Sequence, residues 1–378
     1  WGWLREFAPP PGEEEPDPTR VSVEDYSPLL LGAWLLEDAP LPAVAEIWRR
    51  HAQLRAEDLP SRQGKPLGLA QRWRNLLPLC DSRSPQFKLA DLVPDWCFQE
   101  ATLPRGQDEL LGWLQKRPPV WLRAQVPPDQ ALRELTAADL APRRHPVRLD
   151  AISITPPRVN LRMLESFREG HFEIQDLASQ TVAGVCAPQP GERWWDACAG
   201  AGGKALHLAT LMQNRGSIVA SDIRTRKLDD LKKRARRGGF SNIRCREWKG
   251  KVLPAKKSGF DGVLVDAPCT CSGTWRRNPD ARWTLEREEI AEFAEKQLAL
   301  LSNASHGVRA GGVLVYATCS MFDAENEGVV QAFLANHENF ALEAFPHPLA
   351  EGECPGQHRI WPWDGNCDTM FVARFRRA

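Results

Sequence analysis

Neither sign of charge is in excess in this chain: 49 Lys and Arg face 49 Asp and Glu, a formal net charge of zero. Composition alone therefore announces no nucleic-acid binder, and any basic face has to come from local clustering. Apolar runs of the roughly 18 residues that span a membrane are missing, and the first residues show no apolar signal-peptide core. A cytoplasmic protein with no membrane partner is expected. The ten cysteines include no CxxC pair and no histidine at a spacing suited to zinc. They read as reduced thiols, and no metal is expected. What the chain has is size: 378 residues, 42% of them hydrophobic, allow two or three domains with buried cores. Most of the 15 tryptophans read as core or interface fillers, with a few free to stack on bases.

Residues 1–20, with prolines at 9, 10, 11, 16 and 18 around Glu13, Glu14 and Glu15, read as a flexible tail. From 21 to 117 the apolar spacing is helical (Tyr26, Leu29, Leu30, Trp34, Leu35; Val44, Ile47, Trp48; Leu111, Leu114), and prolines cut it into the short helices of an accessory domain. Residues 118–159 carry a strand at 118–125, a helix from 129 to about 135 and a second strand around 147–154, the pattern of a small α/β unit. Arg143, Arg144, His145, Arg148, Arg158 and Arg162 make this joint basic, either as a solvated surface or as a face for phosphates. From 160 to 378, strands and helices alternate as in a doubly wound α/β sheet. The strands are expected at 194–198, 217–222, 242–247, 262–266, 312–318 and 370–375, and the helices at 204–212, 226–236, 286–302 and 324–336.

The most informative stretch is Val263-Leu264-Val265-Asp266-Ala267-Pro268-Cys269. An apolar run closed by turn residues is a buried parallel strand, and ligands in such sheets sit beyond the carboxyl ends of the strands. Asp266 and Cys269 are thus delivered to a mouth rather than to the core. A second thiol arrives the same way, on the strand that ends in Thr318-Cys319-Ser320. A third end carries Asp196-Ala197-Cys198-Ala199-Gly200-Ala201-Gly202-Gly203-Lys204 before a helix. Small residues there let a ligand approach the backbone, and the helix start supplies free amides. Lys204 is followed by Ala205, not Ser or Thr, so this is no P-loop. Asp222 closes the next strand, either accepting from a ribose diol or capping the next helix. A dehydrogenase fits these glycines and Asp222, but it has no use for two thiols and an acid beside them.

Taken together these segments resemble the RsmB/Nop/Sun family of S-adenosylmethionine-dependent RNA cytosine-5 methyltransferases. The resemblance covers about residue 160 to the end and rests on six pieces in order: Gly170-His171-Phe172-Glu173-Ile174-Gln175-Asp176 with Ser179; the 196–204 loop; Asp266-Ala267-Pro268-Cys269; Arg276-Arg277-Asn278-Pro279-Asp280; Thr318-Cys319-Ser320; and Glu325-Asn326-Glu327. It implies a Rossmann-like methyltransferase sheet at 160–378, preceded by a small RNA-binding α/β unit and an N-terminal helical region. The chain departs from the family pattern in places. Gly200 and Ala201 replace an Ala and a Pro, and Thr270-Cys271 stand where Ser-Gly is usual. Glu247-Trp248-Lys249 occupy a segment that often carries an acid near the adenosine, and Trp248 is left to pack on the adenine.

The resemblance makes Cys319 the nucleophile at cytosine carbon 6 and Cys269 the residue that assists breakdown of the adduct. Carbon 5 is a poor nucleophile until a thiolate at carbon 6 breaks the ring's aromaticity. Cys319 is expected to be activated by a lowered pKa, with Lys204 and the cofactor's sulfonium as the positive neighbours. Asp266, protonated or sharing a proton, meets ring nitrogen 3 and the amino group, and Lys204 points at the base. S-adenosylmethionine is held by Cys198, Ala199, Gly200, Ala201, Gly202, Gly203, Lys204, Asp222, Trp248 and Asp266. Arg276, Arg277 and Asn278 are expected to hold phosphates that flank a cytosine flipped out of structured RNA. The lysines and arginines from Arg224 to Arg237 form a solvated helix face or a second RNA contact. Ribosomal RNA is the first expectation and transfer RNA the second, with the protein a monomer. The rivals are a DNA cytosine-5 methyltransferase, which uses the thiol after proline, and an idle RNA-binding assembly factor on the same fold.

Overall fold

The computed structural model describes residues 43–51, 55, 89–155, 159–250 and 259–378. The tail at 1–20, the stripe from Tyr26 to Leu35 and Arg158 lie outside them. The chain divides into two units, 1–98 with 103–117 and 99–102 with 118–378. The described part of the first is helical: α1 (Ala43–His51), 3-10 turns at Leu89–Leu92 and from Asp95, and α2 (Gln107–Leu114). α2 starts with Asp108 and Glu109, which suit the positive end of the helix dipole, and buries Leu110, Leu111 and Leu114 on one stripe.

The second unit begins with four strands, β1 (Val120–Ala124), β2 (Arg143–Arg144), β3 (Ala151–Ile154) and β4 (Phe172–Ile174), in the order β2-β3-β1-β4. Every pairing is antiparallel. Helix α3 (Pro128–Ala137) lays Ala131 and Leu135 on Leu122, Ile152, Ile154 and Phe172. Two expectations are corrected here. The strand expected from about 147 starts only at Ala151, because the His145 ring accepts the Val147 and Arg148 amides at 3.2 and 3.0 Å and holds a turn there. The sheet also extends past residue 159, since β4 completes it.

The large sheet runs β10-β14-β9-β8-β5-β6-β7, built from β5 (Arg193–Asp196), β6 (Ser217–Asp222), β7 (Ile243–Glu247), β8 (Phe260–Asp266), β9 (Val308–Thr318), β10 (Phe340–Leu342) and β14 (Met370–Arg377). β13 (Gln357–Ile360) also pairs with β14, and β11 (Phe345–Pro346) pairs with β12 (Glu353–Cys354). The strands β7-β6-β5-β8-β9 are mutually parallel, and β14 is antiparallel to β9. The chain winds outward from β5 through β6 and β7, then returns to β8 on the other side of β5. That reversal opens a crevice between the carboxyl ends of β5 and β8.

Helices cover both faces: α4 (Leu177–Cys186), α5 (Gly203–Leu211), α6 (Thr225–Arg237), α7 (Glu288–Ser305) and α8 (Val329–Asn336). The expected single helix at 324–336 opens instead as a π turn, Ala324–Gly328, before α8. Successive residues of β8 feed opposite cores: Leu264 joins Trp194 and the α4–α5 side, while Val263 and Val265 join Trp195, Leu301 and Phe333. All three are fully buried, each contributing about 1.5–3 kcal/mol of transfer free energy. Among the described residues, no helix is long and apolar enough to cross a membrane.

Candidate active site

β5, β6, β8 and β9 end on the same edge of the sheet, so Asp196, Asp222, Asp266 and Thr318 share one rim. After β5 the chain turns through Gly200 and Gly202, whose φ of +53° and +90° suit glycine, and a side chain at 202 would strike Leu231. The Ala199 amide donates to the Ser221 carbonyl, and the Gly200 amide to the Asp222 carboxylate, at 2.8 and 2.9 Å. Asp222 also accepts from the Arg224 amide at 2.8 Å and from its guanidinium. Burial would raise the Asp222 carboxyl, but Arg224 and these amides hold it below the usual range.

Asp196 differs. It is fully buried, and neither carboxylate oxygen has a hydrogen-bond partner. Burial first and the Asp266 charge second push its pKa up to about 8, tempered by Lys204 and the nearby Cys198 amide. A buried orphan acid beside a glycine turn and a helix start fits a ligand that brings positive charge, such as a sulfonium or an ammonium.

Lys204 lies in the first turn of α5, with Nζ 2.7 Å from an Asp266 oxygen. Burial opposes its charge, but Asp266 and then Cys319 raise its pKa above the ordinary lysine value. Beyond Asp266, the Cys269 and Cys319 sulfurs are 3.4 Å apart, and Cys271 adds a third sulfur, all within 4.8 Å of one another. Cys319 does not carry the lowered pKa expected of it. Contact with Cys269 favours its thiolate, but Cys271, burial and Asp266 outweigh that and push it well above the ordinary range. Lys204 is engaged by Asp266. Cys269 is also pushed up, by contact with Cys271 and Cys319 and then by burial. Cys271 moves the other way, lowered by the thiols that bond to it.

A single acid fastens both cysteine loops. Glu325, fully buried in the π turn, accepts from the Thr270 amide at 3.0 Å, the Thr270 hydroxyl at 2.6 Å, Gln297 at 2.8 Å and the Ser320 hydroxyl. Thr270 follows Cys269 and Ser320 follows Cys319. Tyr316 then donates to the Glu325 carbonyl at 2.6 Å, and Asn326 bonds the Thr318 hydroxyl and the Ser320 carbonyl. Gly273 donates its amide to the Cys319 carbonyl at 2.9 Å and accepts from the Thr369 amide at 3.0 Å. A side chain there would collide with both. Sequence reasoning recorded Glu325 as part of a motif, but had no signal that its partners were Thr270 and Gln297.

The expectations for Arg276 and Trp248 are corrected. Arg276 is buried, giving one nitrogen to the Cys367 carbonyl at 2.9 Å and another to Asn366 at 2.7 Å, so it serves the fold and not a phosphate. Arg277 pairs with Asp368 and Asn278 donates to the Thr274 hydroxyl, and both stay exposed, so their expected contact with phosphates stands as an expectation. Trp248 is buried edge-on against Trp195, 4.8 Å between ring centres, as a member of the core. On α6, Leu228, Leu231 and Ala235 face inward, and Arg234 and Arg237 pair with Glu173 of β4. In the basic joint, Arg144 pairs with Asp129 and Arg148 with Asp150.

A doubly wound sheet with a glycine turn after its first strand and acids closing the next two is a Rossmann-like fold. Residues 183–376 match the family model described as 16S rRNA methyltransferase RsmB/F. The chain is 33% identical over 302 residues to the "Probable ribosomal RNA small subunit methyltransferase B" of Synechocystis, covering 75% of this chain and 67% of that protein. It is 30% identical over 366 residues to ribosomal RNA small subunit methyltransferase B of Shewanella oneidensis, covering 93% and 82%. A solved methyltransferase homolog from Pyrococcus horikoshii superposes with a TM-score of 0.64 at 25% identity, over 75% of this chain and 94% of its own. The chain belongs to the RsmB/F family.

Proposed function

We propose that this protein transfers a methyl group from S-adenosylmethionine to carbon 5 of a cytosine in RNA, first of all ribosomal RNA of the small subunit. The observation that carries this reading is the meeting of the Cys269 and Cys319 sulfurs at 3.4 Å, one strand end from the Lys204–Asp266 pair. The names of the relatives support ribosomal RNA. S-adenosylmethionine, when bound, supplies a methyl group on a positively charged sulfur. Asp196, the turn through Gly200 and Gly202, and Asp222 would hold it.

Cys319 adds through its sulfur to carbon 6, forming an S–C bond while the ring's electrons shift toward carbon 5. Its thiol proton passes to solvent as the base enters, and the paired Lys204 ammonium is the nearby positive charge that favours the thiolate left behind. Asp266 and Lys204 together meet the polar edge of the base, and that contact strengthens as charge moves into the ring. Cys269, 3.4 Å from Cys319, assists the last step, in which the carbon 5 proton passes to the Cys269 sulfur or a water, the ring double bond re-forms, and the S–C bond breaks with its electron pair returning to Cys319. The flipped base enters from the strand-end mouth.

The test is a pair of substitutions read on total RNA by bisulfite sequencing. Cys319→Ala should abolish methylation and leave cofactor binding intact. Cys269→Ala should accumulate a protein–RNA adduct that survives a denaturing gel. Substantial methyl transfer by Cys319→Ala would refute the assignment, and its loss in Cys269→Ala without an adduct would favour the DNA-type mechanism.

A further inference from the structure

Cys271 takes no part in the chemistry above. Its backbone φ of +57° lies in the left-handed region, which costs a residue with a Cβ roughly 1–2 kcal/mol. Such strain is retained where the surroundings impose it, often at functional sites. Here it turns the exposed Cys271 side chain back over the mouth, where the sulfur donates to the Cys269 carbonyl at 3.4 Å.

Three sulfurs thereby gather within 4.8 Å of one another, the closest pair at 3.4 Å. A tetrahedral zinc ion with bonds of about 2.3 Å requires sulfurs about 3.8 Å apart. Shifts of roughly 1 Å or less, within reach of side-chain rotation, meet that requirement. Asp266 pairs with the neighbouring Lys204, and its carboxylate offsets the repulsion that the ammonium would exert on a divalent ion from that side. Cys271 is exposed and offers the entry path. The other Cys/His cluster among the described residues, His347, Cys354 and His358, is less suited. Nδ1 of His347 already accepts the Leu349 and Ala350 amides at 3.2 and 2.9 Å, which leaves the proton on the other ring nitrogen, where a metal needs a lone pair.

We propose that Cys269, Cys271 and Cys319 form a three-thiolate site for a thiophilic cation, Zn²⁺, and that its occupation stops methyl transfer by engaging the Cys319 sulfur. Each thiol still protonated releases its proton to solvent as its S–Zn bond forms, and water supplies the fourth ligand. No electron is transferred. Binding rests on the geometry of the sulfurs alone; the inhibition rests on the function proposed above.

The experiment uses the full chain under a phosphine reductant, titrated with Co²⁺ and then displaced by Zn²⁺. One equivalent should bind with a thiolate-to-cobalt charge-transfer band, and zinc should abolish methyl transfer at the same stoichiometry, reversibly on chelation. Cys271→Ser, and Cys271→Gly as a variant that relieves the backbone, should keep methyl transfer and need at least about tenfold more zinc for inhibition. Equal zinc sensitivity in wild type and both variants, or cobalt bound without a thiolate band, would overturn the proposal. A thiolate band in a protein that methylates no RNA would sustain the metal site while refuting the function.

Discussion

Glu325→Ala removes one acceptor from four donors at once. Two are hydroxyls, Thr270 and Ser320, which are 3.2 Å apart and can turn to each other or to Ser272. The other two, the Thr270 amide and a Gln297 N–H, are buried and have no such freedom. Each buried donor left unmet costs about 1–3 kcal/mol, so the variant should lose about 2–6 kcal/mol unless water enters the space. Glu325→Gln keeps the oxygen that accepts from Thr270 and Gln297. Its new amide nitrogen can donate to the same two hydroxyls, so its cost should stay under about 1 kcal/mol. The assay is urea unfolding of the three proteins, followed by methyl transfer with kcat and KM measured separately. Because Glu325 ties the loop after Cys269 to the loop after Cys319, the alanine variant should lose kcat more than it raises KM, and glutamine should recover both. Two results would refute the reasoning. One is an alanine variant within about 0.5 kcal/mol of wild type. The other is a glutamine variant as damaged as alanine, since that would make the negative charge, and not the acceptor, the element that holds the loops.

Two further outcomes are expected. Asp196 binds its proton more tightly folded than unfolded, about 8 against an ordinary 3.8. Its contribution is therefore complete below pH 3.8 and is lost as pH rises through about 8. Asp196→Asn should flatten the fall in stability across that window, and an unchanged slope in the pH dependence of the unfolding midpoint would contradict the burial described. Arg276→Met should cost about 2–4 kcal/mol, because the Cys367 carbonyl and Asn366 lose their donor. It should leave the salt dependence of RNA binding unchanged in the folded protein; a reduced salt slope with normal stability would restore the phosphate reading.

The central parallel strands were legible in the sequence, because β5, β8 and most of β9 are buried on both faces and end beside residues a core does not want. β6 begins and ends where the apolar run and Asp222 place it, and β8 closes on Asp266 as its run dictates. The antiparallel elements were less visible. β4 is three residues long and pairs with β1 across about fifty residues of chain, a distance over which local patterning carries no information. Arginine charge misled in one place. Arg276 looks like its neighbour Arg277 in sequence, and only the Cys367 carbonyl and the Asn366 side chain folded over it make it a structural cation. The same limit applied to Glu325, whose partners lie 28 and 55 residues away, and to Cys319, whose pKa is raised by Cys271 and by burial against the contact with Cys269.

The Gly273 stitch bears on how the two central sulfurs can move. Its amide and carbonyl join the segment after Cys269 to the ends of β9 and β14 at once, so that segment cannot swing away without unpicking the sheet's rim. Travel of one sulfur past the other must therefore come from turning about side-chain bonds. In the proposed reaction, a nucleobase arriving between them would meet a hinge inside each cysteine, on a frame that stays still.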